Sequence, residues 1–217
     1  MRVLVTAGPT REPLDPVRFL SNRSSGRMGY ALAQAALDAG HEAILISGPT
    51  ALTPPAAARF VGITTSDELY DEVHAHAPEC DVVVMCAAVS DYKPAAPSPR
   101  KLEKRDAPFA LQLTPTRDIL FSLGQQKHSC LLVGFAAQTH DLEANARRKL
   151  VAKNCDVIVA NDVSRSDIGM ESEDNEVTIF FRDGESKTIS RAPKAIMARE
   201  ILKIVFALRE KSLTKKT

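Results

Sequence analysis

VLVTAGPTREPLDPVRFLSNRSSGRMG, Val3 to Gly29, joins an apolar run to a long turn-rich loop and then to a glycine-flanked entry into an apolar-periodic helix. A parallel α/β fold builds a phosphate site in this way, because backbone N–H groups at a helix start lack intrahelical partners and the helix dipole favours anions there. The loop is expected to face a nucleotide. It departs from the dinucleotide fingerprint G-x-G-x-x-G, since Gly8 is followed by Pro9, Thr10 and Arg11, and the next glycines are Gly26 and Gly29. Arg11, Arg18, Arg23 and Arg27 crowd the same segment, which suits a substrate carrying several phosphates.

Outward from that stretch, strand and helix signals alternate. Arg2 to Thr6 reads as a strand, and Tyr30 to Leu37 has helical spacing until Gly40 stops it. Glu42 to Ser47 and Ala58 to Ile63 read as strands. Ser66, with Glu68 and Asp71 close behind, opens a helix to about His76, and Cys80 to Val89 is a continuous apolar run of the kind buried on both faces of a parallel sheet. The proline-broken segment Ser90 to Arg105 reads as a mobile loop, and loops of that length are often functional lids. Phe109 to Leu113 alternates like a strand, Thr116 to Leu123 starts a helix, and Leu131 to Phe135 is another buried strand. Asp141 to Lys153 follows as a helix and Val157 to Ala160 as a strand.

Glu176 to Phe181 and Lys187 to Ser190 flank Asp183-Gly184, a hairpin signal, and Ala192 to Leu208 closes as an amphipathic helix. The pattern predicts an α/β fold: a Rossmann-like, doubly wound, mostly parallel sheet with ligands at the carboxyl ends of its strands. The late hairpin either extends the sheet or pairs with a second copy of the chain in a homodimer. Residues 1–211 are read as a single domain and 212–217 as a frayed, disordered tail.

A chain of 217 residues with net charge +1 is long enough for one well-buried core and has no bulk field that would point to nucleic acid or an anionic membrane. Any anion site must be local. Cys80, Cys86, Cys130 and Cys155 form no C-x-x-C pair, and Met1-Arg2-Val3 enters a strand without a signal-peptide pattern. Both features fit a cytoplasmic protein with reduced thiols. No apolar run approaches membrane-helix length.

Polar clusters follow the predicted strands, where such an architecture places its active site: Asn22 to Gly26, Asp91 to Lys93, and Gln138-Thr139. Singly, each has a plain alternative. Asn22 and Ser24 suit a turn or a helix cap, Asp91 and Lys101 a solvated loop, and Phe135 a core. Lys149 and Lys153 stand at i and i+4 beside Arg147 and Arg148, an unpaired like-charged face whose repulsion an anionic ligand would offset. The cysteines read as small apolar residues without a partner base. A short-chain dehydrogenase is disfavoured: the second strand ends Ile46-Ser47-Gly48-Pro49 with no acid for a ribose hydroxyl, and no Tyr-x-x-x-Lys pair exists. A catalytically silent nucleotide-binding module is the other alternative.

TAGPTREPLDPVRFLSNRSSGRMG (Thr6–Gly29), CAAVSDYKP (Cys86–Pro94), RKLEK (Arg100–Lys104), GFAAQT (Gly134–Thr139), KLVAK (Lys149–Lys153) and VANDVS (Val159–Ser164) together resemble the phosphopantothenate–cysteine ligase family of the bacterial type. The resemblance covers nearly the whole chain. It implies a ligase of coenzyme A synthesis in which 4′-phosphopantothenate attacks CTP, releasing pyrophosphate, and L-cysteine then displaces CMP from the acyl-cytidylate. Mg²⁺ is the implied cofactor, and the chain looks like a stand-alone ligase with no flavin site, its decarboxylase a possible separate partner.

By position the resemblance implies that Lys101 stabilises phosphate charge in the first step and that Asn22 holds the acyl-cytidylate. Ala87, Ala88 and Asp91 would contact the substrate, with Asp91 also reaching the nucleotide. Arg18 matches an arginine that, in family dimers, reaches the substrate phosphate of the neighbouring protomer. Gly8, Ser24, Ser25 and Gly26 would line the triphosphate, Thr116, Arg117, Asp118 and Ile119 the far side of the nucleotide, and Phe135, Lys149 and Lys153 the cytidine end; the metal ligands are not assigned. Three positions depart from the family pattern: Gln138 where Glu is usual, Arg27 for Lys, and Arg117 for Pro.

Overall fold

The computed structural model describes residues 1–104, 106–126, 129–164 and 172–214. In chain order its elements are β1 (Arg2–Ala7), β2 (Arg11–Pro13), β3 (Phe19–Ser21), α1 (Arg27–Asp38), β4 (Glu42–Ser47), β5 (Arg59–Gly62), α2 (Ser66–His76), β6 (Val82–Met85), β7 (Tyr92–Pro94) and β8 (Leu113–Pro115). There follow α3 (Ile119–Gln125), β9 (Leu131–Gln138), α4 (Leu142–Ala152), β10 (Val157–Asp162), β11 (Asp174–Phe181), β12 (Ser186–Pro193) and α5 (Lys194–Thr214).

The main sheet runs β12-β11-β10-β9-β6-β1-β4-β5. Its six strands from β5 to β10 are parallel, in the doubly wound order whose direction of winding reverses between β1 and β6. Alternation along each strand divides the core. Val3, Val5, Val82, Val84, Val133 and Val159 face α1 and α5, whereas Leu4, Ile44, Val83, Leu132 and Ile158 face α2, α3 and α4. No helix among the described residues is long and apolar enough to cross a membrane.

The late hairpin extends the sheet antiparallel to β10. β12 is its outer edge, mostly exposed, and carries Lys187, Arg191 and Pro193, residues that blunt an edge against further pairing. The closing helix begins at Lys194 and continues through Thr214, so 212–214, read as part of a frayed tail, are helical; 215–217 lie outside the described residues.

Two local readings change. Phe109 to Leu113 is not a strand: Phe109 and Leu113 are 59% and 47% exposed with no face to bury, and pairing begins at Leu113 because β8 meets β7 inside the supposed loop. The apolar run Cys80 to Val89 is a strand only over Val82–Met85, since the buried Thr6 hydroxyl accepts hydrogen bonds from the N–H groups of Cys86 and Ala87 at 3.0 Å each and turns the chain. Helix α2 opens at Ser66 as read, with Thr65 as its cap in a reciprocal capping box with Glu68.

Helix α1 starts at Arg27, a turn earlier than its apolar period indicates. Gly26 caps it at φ 77°, a conformation that costs a residue with a Cβ. Gly29 lets the helix lie on β1: a Cβ there would stand 2.5 Å from Ala7 Cβ and 2.9 Å from Thr6 O. Gly29→Ala is expected to cost about 1–3 kcal/mol through overpacking, read as a lowered urea midpoint at unchanged slope. An unchanged midpoint would show that the helix can lift off the strand freely.

Candidate active site

Above the β1/β6 reversal the chain opens a cleft of about 620 Å³. Its floor is made by the segments leaving β1 and β6, which are stitched together. The N–H of Ala88 donates to Gly8 O at 2.9 Å, that of Thr10 to Ala88 O at 3.1 Å, and that of Ser90 to the Thr10 hydroxyl at 3.0 Å. Asn22 Nδ2 adds a further donor to Ala88 O at 3.0 Å. The buried Glu12 carboxylate accepts from the Ser66 N–H at 2.9 Å and fixes the β2–β3 hairpin, which the turn-rich sequence concealed.

One wall is the start of α1, with Ser24, Ser25 and Gly26 lining the cleft. The helix has no side-chain cap and no acid in its first turn, features that suit its start to an anion. The opposite wall comes from the approach to α3 and from α4. Asp118 caps α3 through the Phe121 N–H at 2.9 Å and pairs with Lys153. Lys149 Nζ donates to Phe135 O at 2.7 Å, and burial pulls its pKa below the ordinary lysine value. The like charge expected along α4 is relieved piece by piece, because Arg147 pairs with Glu143 at 2.8 Å and Arg148 donates to Asn145 Oδ1 at 2.8 Å.

Asn22, Ser24, Ser25, Gly26, Ala87, Ala88, Asp91, Thr116, Arg117, Asp118, Ile119, Phe135, Lys149 and Lys153 all line this one cleft. Gly8 lies beneath it: a Cβ on Gly26 would come within 3.4 Å of Gly8 Cα. Arg117 lines the wall but spends its guanidinium on α2, 3.1 Å from Asp67 Oδ1, 3.0 Å from Asp71 Oδ1 and over the Tyr70 ring. Gln138 is outside the lining set; it ends β9 in register with Asp162. Cys86 is at the floor, and burial pushes its thiol up to about 12, which leaves it un-ionised.

Arg18 and Lys101 are outside the cleft lining, and the reason is a hook. The buried Asp15 accepts from the N–H groups of Val17 and Arg18 at 2.8 Å each, from Arg18 Nε at 2.8 Å and from the Leu102 N–H at 3.1 Å, while Arg18 donates to Leu102 O at 2.7 Å. The loop next to Lys101 is therefore tied to the β2–β3 hairpin. The Arg18 guanidinium, helped by the backbone donors, holds the Asp15 carboxyl well below the usual carboxylate range. A depressed folded-state pKa stabilises above the ordinary aspartate value of about 3.9 and loses that contribution as pH falls through the folded value. Asp15→Asn is thus expected to lower the urea midpoint at pH 7 and to differ less from the unchanged protein near pH 3. A constant gap would refute the ionic hook.

Four polar lining residues were given no role in the cleft: Arg27 and Asn161, although they lie within quoted motifs, and Asn175 and Lys194, which lie in none. The last two come from the end of the hairpin, remote in sequence from every strand-end cluster. A readable signal existed at Lys194, a cation at a helix start, where the dipole disfavours one.

The family described as the DNA/pantothenate metabolism flavoprotein C-terminal domain matches residues 1–208. The chain belongs to this family. Among its curated relatives, the "Coenzyme A biosynthesis bifunctional protein CoaBC" of Bacillus subtilis is 45% identical over 207 residues, covering 95% of this chain and 51% of the relative. The chain thus spans about half the length of the curated relatives it matches. A crystal structure of the C-terminal domain of such a CoaBC protein superposes with TM-score 0.83 at 42% identity, covering 97% of this chain and 96% of the other. The fold recurs in a solved structure of a Cab2 mutant in complex with phosphopantothenate-cysteine, with TM-score 0.81 at 18% identity over 100% of this chain and 89% of that one.

Proposed function

We propose that this chain joins 4′-phosphopantothenate to L-cysteine through an acyl-cytidylate, with CTP as the activating nucleotide. One observation carries the reading: a single cleft gathers an uncapped helix start, a polar floor around Asn22 and Ala88, and the Phe135, Lys149 and Lys153 wall. The name of the half-matched relatives, which places them in coenzyme A biosynthesis, supports the same pathway.

A carboxylate oxygen attacks the α-phosphorus, the bond to the β-phosphate oxygen breaks, and pyrophosphate leaves. The cysteine amine then attacks the acyl carbon and loses a proton, the bond from that carbon to the bridging phosphate oxygen breaks, and CMP departs with the oxygen. The first step brings two anions together and the second expels one, so the cations and N–H donors around the cleft act by offsetting charge that grows in the transition state. Asn22 binds the intermediate through its amide, and Lys101 neutralises the departing phosphates once its loop covers the cleft.

A Mg²⁺ ion fits this donor set. Magnesium is held by one or two carboxylates plus substrate phosphates, and the cleft offers Asp91, for which no ion pair exists among the described residues, while Asp118 is taken by Lys153. The ion would supply charge neutralisation on the phosphates. We further propose a homodimer, since Arg18 is outside the cleft of its own chain, and a cytoplasmic location.

The test is pyrophosphate release with phosphopantothenate and Mg²⁺, with CTP or ATP, and with or without L-cysteine. Release that needs phosphopantothenate, prefers CTP and rises with cysteine is expected. Failure with both nucleotides would leave a silent nucleotide-binding module, and preference for ATP would overturn the choice of base.

A further inference from the structure

We propose that the side-chain amides of Asn161 and Asn175 read the amino edge of a nucleobase in the cleft, accepting from cytosine's exocyclic amino group and donating to its ring nitrogen. The choice of a nucleotide as occupant rests on the ligase reading; the pairing of the two amides does not.

β10 brings Asn161 to the cleft and β11 brings Asn175. Asn175 is 4% exposed, a degree of burial at which an amide needs its partners. Its oxygen has two: the Glu176 N–H donates to Oδ1 at 3.0 Å, and Asn161 Nδ2 donates to it at 3.4 Å. The first of these fixes the way the amide faces, because a backbone N–H can meet only the oxygen. Asn175 Nδ2 is thereby turned away from that N–H. Among the described residues neither Asn175 Nδ2 nor Asn161 Oδ1 has a hydrogen-bond partner. Two neighbouring side chains thus leave one donor and one acceptor over, in a cleft that both of them line.

A donor beside an acceptor complements a ligand edge that carries the same two functions. Cytosine offers one, with its exocyclic N–H donating and N3 accepting, and so does the amide of a pantothenate chain. Phe135 favours the base. The strand register sets Val159 beside Phe135 and Asn161 beside Ala137, so Phe135 and Asn161 are on one face of adjoining strands, and Phe135 lines the same cleft. An aromatic ring next to an amide pair suits a planar base that can stack on it; a flexible chain gains little from it. Uracil presents the opposite order, O4 accepting and N3–H donating, and would set like against like. Asn175 cannot turn over to suit uracil without losing the Glu176 N–H. Adenine shares cytosine's order, so the pair separates amino bases from oxo bases and leaves the choice between CTP and ATP to other contacts.

Asn175→Asp distinguishes this role from a merely structural one. The carboxylate keeps an oxygen for the Glu176 N–H and for Asn161 Nδ2, so the contacts within the protein survive, while the spare donor becomes an acceptor. Calorimetric titration of the purified protein with CTP, UTP and phosphopantothenate separately makes the measurement. The unchanged chain is expected to bind CTP about 10- to 100-fold more tightly than UTP, the discrimination a two-point base contact supplies, and Asn175→Asp to lose most of that ratio. The added charge weakens both triphosphates alike, so the ratio isolates the base edge. Asn161→Ala, at a half-buried position, removes the acceptor from the other side of the pair and should lower the same ratio. Equal affinity of the unchanged chain for CTP and UTP, or a ratio left intact in both variants, overturns the inference. So does an intact ratio with phosphopantothenate weakened more than CTP, which would assign the amides to the pantothenate chain. Preference for CTP over UTP without pyrophosphate release in the presence of phosphopantothenate would overturn the ligase reading and leave the amides their role; release without a preference would do the reverse.

Discussion

Lys101→Gln is expected to slow pyrophosphate release by about 10²- to 10³-fold, the usual loss when one charge-stabilising donor is removed from a transition state. The fold should not register the change. Lys101 is exposed, and exposed substitutions away from packing usually alter stability by less than about 0.5 kcal/mol. Its neighbour Leu102 is where both the Asp15 carboxylate and the Arg18 guanidinium grip the loop. Lys101 is outside the cleft lining, so its contribution requires the loop to swing over the phosphates, at the expense of those contacts or about them as a pivot. The loss should therefore fall on the rate of pyrophosphate release more than on nucleotide affinity, and Lys101→Arg should restore part of it. Single-turnover assays of pyrophosphate with phosphopantothenate present make the measurement. A normal rate in Lys101→Gln would remove the loop from the chemistry.

What the sequence made legible follows from where the physics is local. The parallel core was readable because strands such as Val82–Met85 are buried on both faces and carry an unbroken apolar run. The cleft was readable to the extent that its groups follow strand ends: Ser24 to Gly26, Ala87 and Ala88, and Asp118 reach it directly from strand or helix junctions. Long-range pairing was not readable. The β2–β3 hairpin depends on Glu12 reaching Ser66 and on Asp15 reaching Leu102, contacts with no sequence period. β7 and β8 are short pieces that pair across a proline-rich segment, and their residues are too exposed to leave an alternation. Lys194 was hidden for a similar reason: a helix-start lysine reads as a solvated charge until the sheet order brings β12 and α5 back beside α1. Arg18 illustrates the reverse. Its charge suggested a phosphate, and within one chain that charge is spent on Asp15.

Asn22→Asp is expected to lower formation of the cysteine adduct by about 10²- to 10³-fold, with a smaller loss in pyrophosphate release, so that acyl-cytidylate accumulates. Asn22 Nδ2 stands 3.0 Å from Ala88 O, an acceptor already shared with the Thr10 N–H. Aspartate puts a carboxylate oxygen against that carbonyl, where no proton lies between them. The side chain must turn away, and the donor contact that ties the loop before α1 to the segment after β6 is lost. A second effect adds to the first. In the proposed reaction the new negative charge would face a phosphate ester that must keep its position while the cysteine amine attacks. The first step has already released its pyrophosphate by then and depends more on the cations of the walls; the second depends on holding the acyl group still. Quenched reactions analysed by mass spectrometry distinguish the two, since acyl-cytidylate should be the dominant species when cysteine is present at saturating concentration. Equal loss of pyrophosphate and adduct would place Asn22 in nucleotide binding instead, and a variant that forms the adduct at the unchanged rate would remove it from the site. Because Asn22 is exposed, a large fall in thermal midpoint is not expected; were one found, Asn22→Ser, which avoids the charge and keeps a small polar donor, would separate the loop contact from the electrostatic effect.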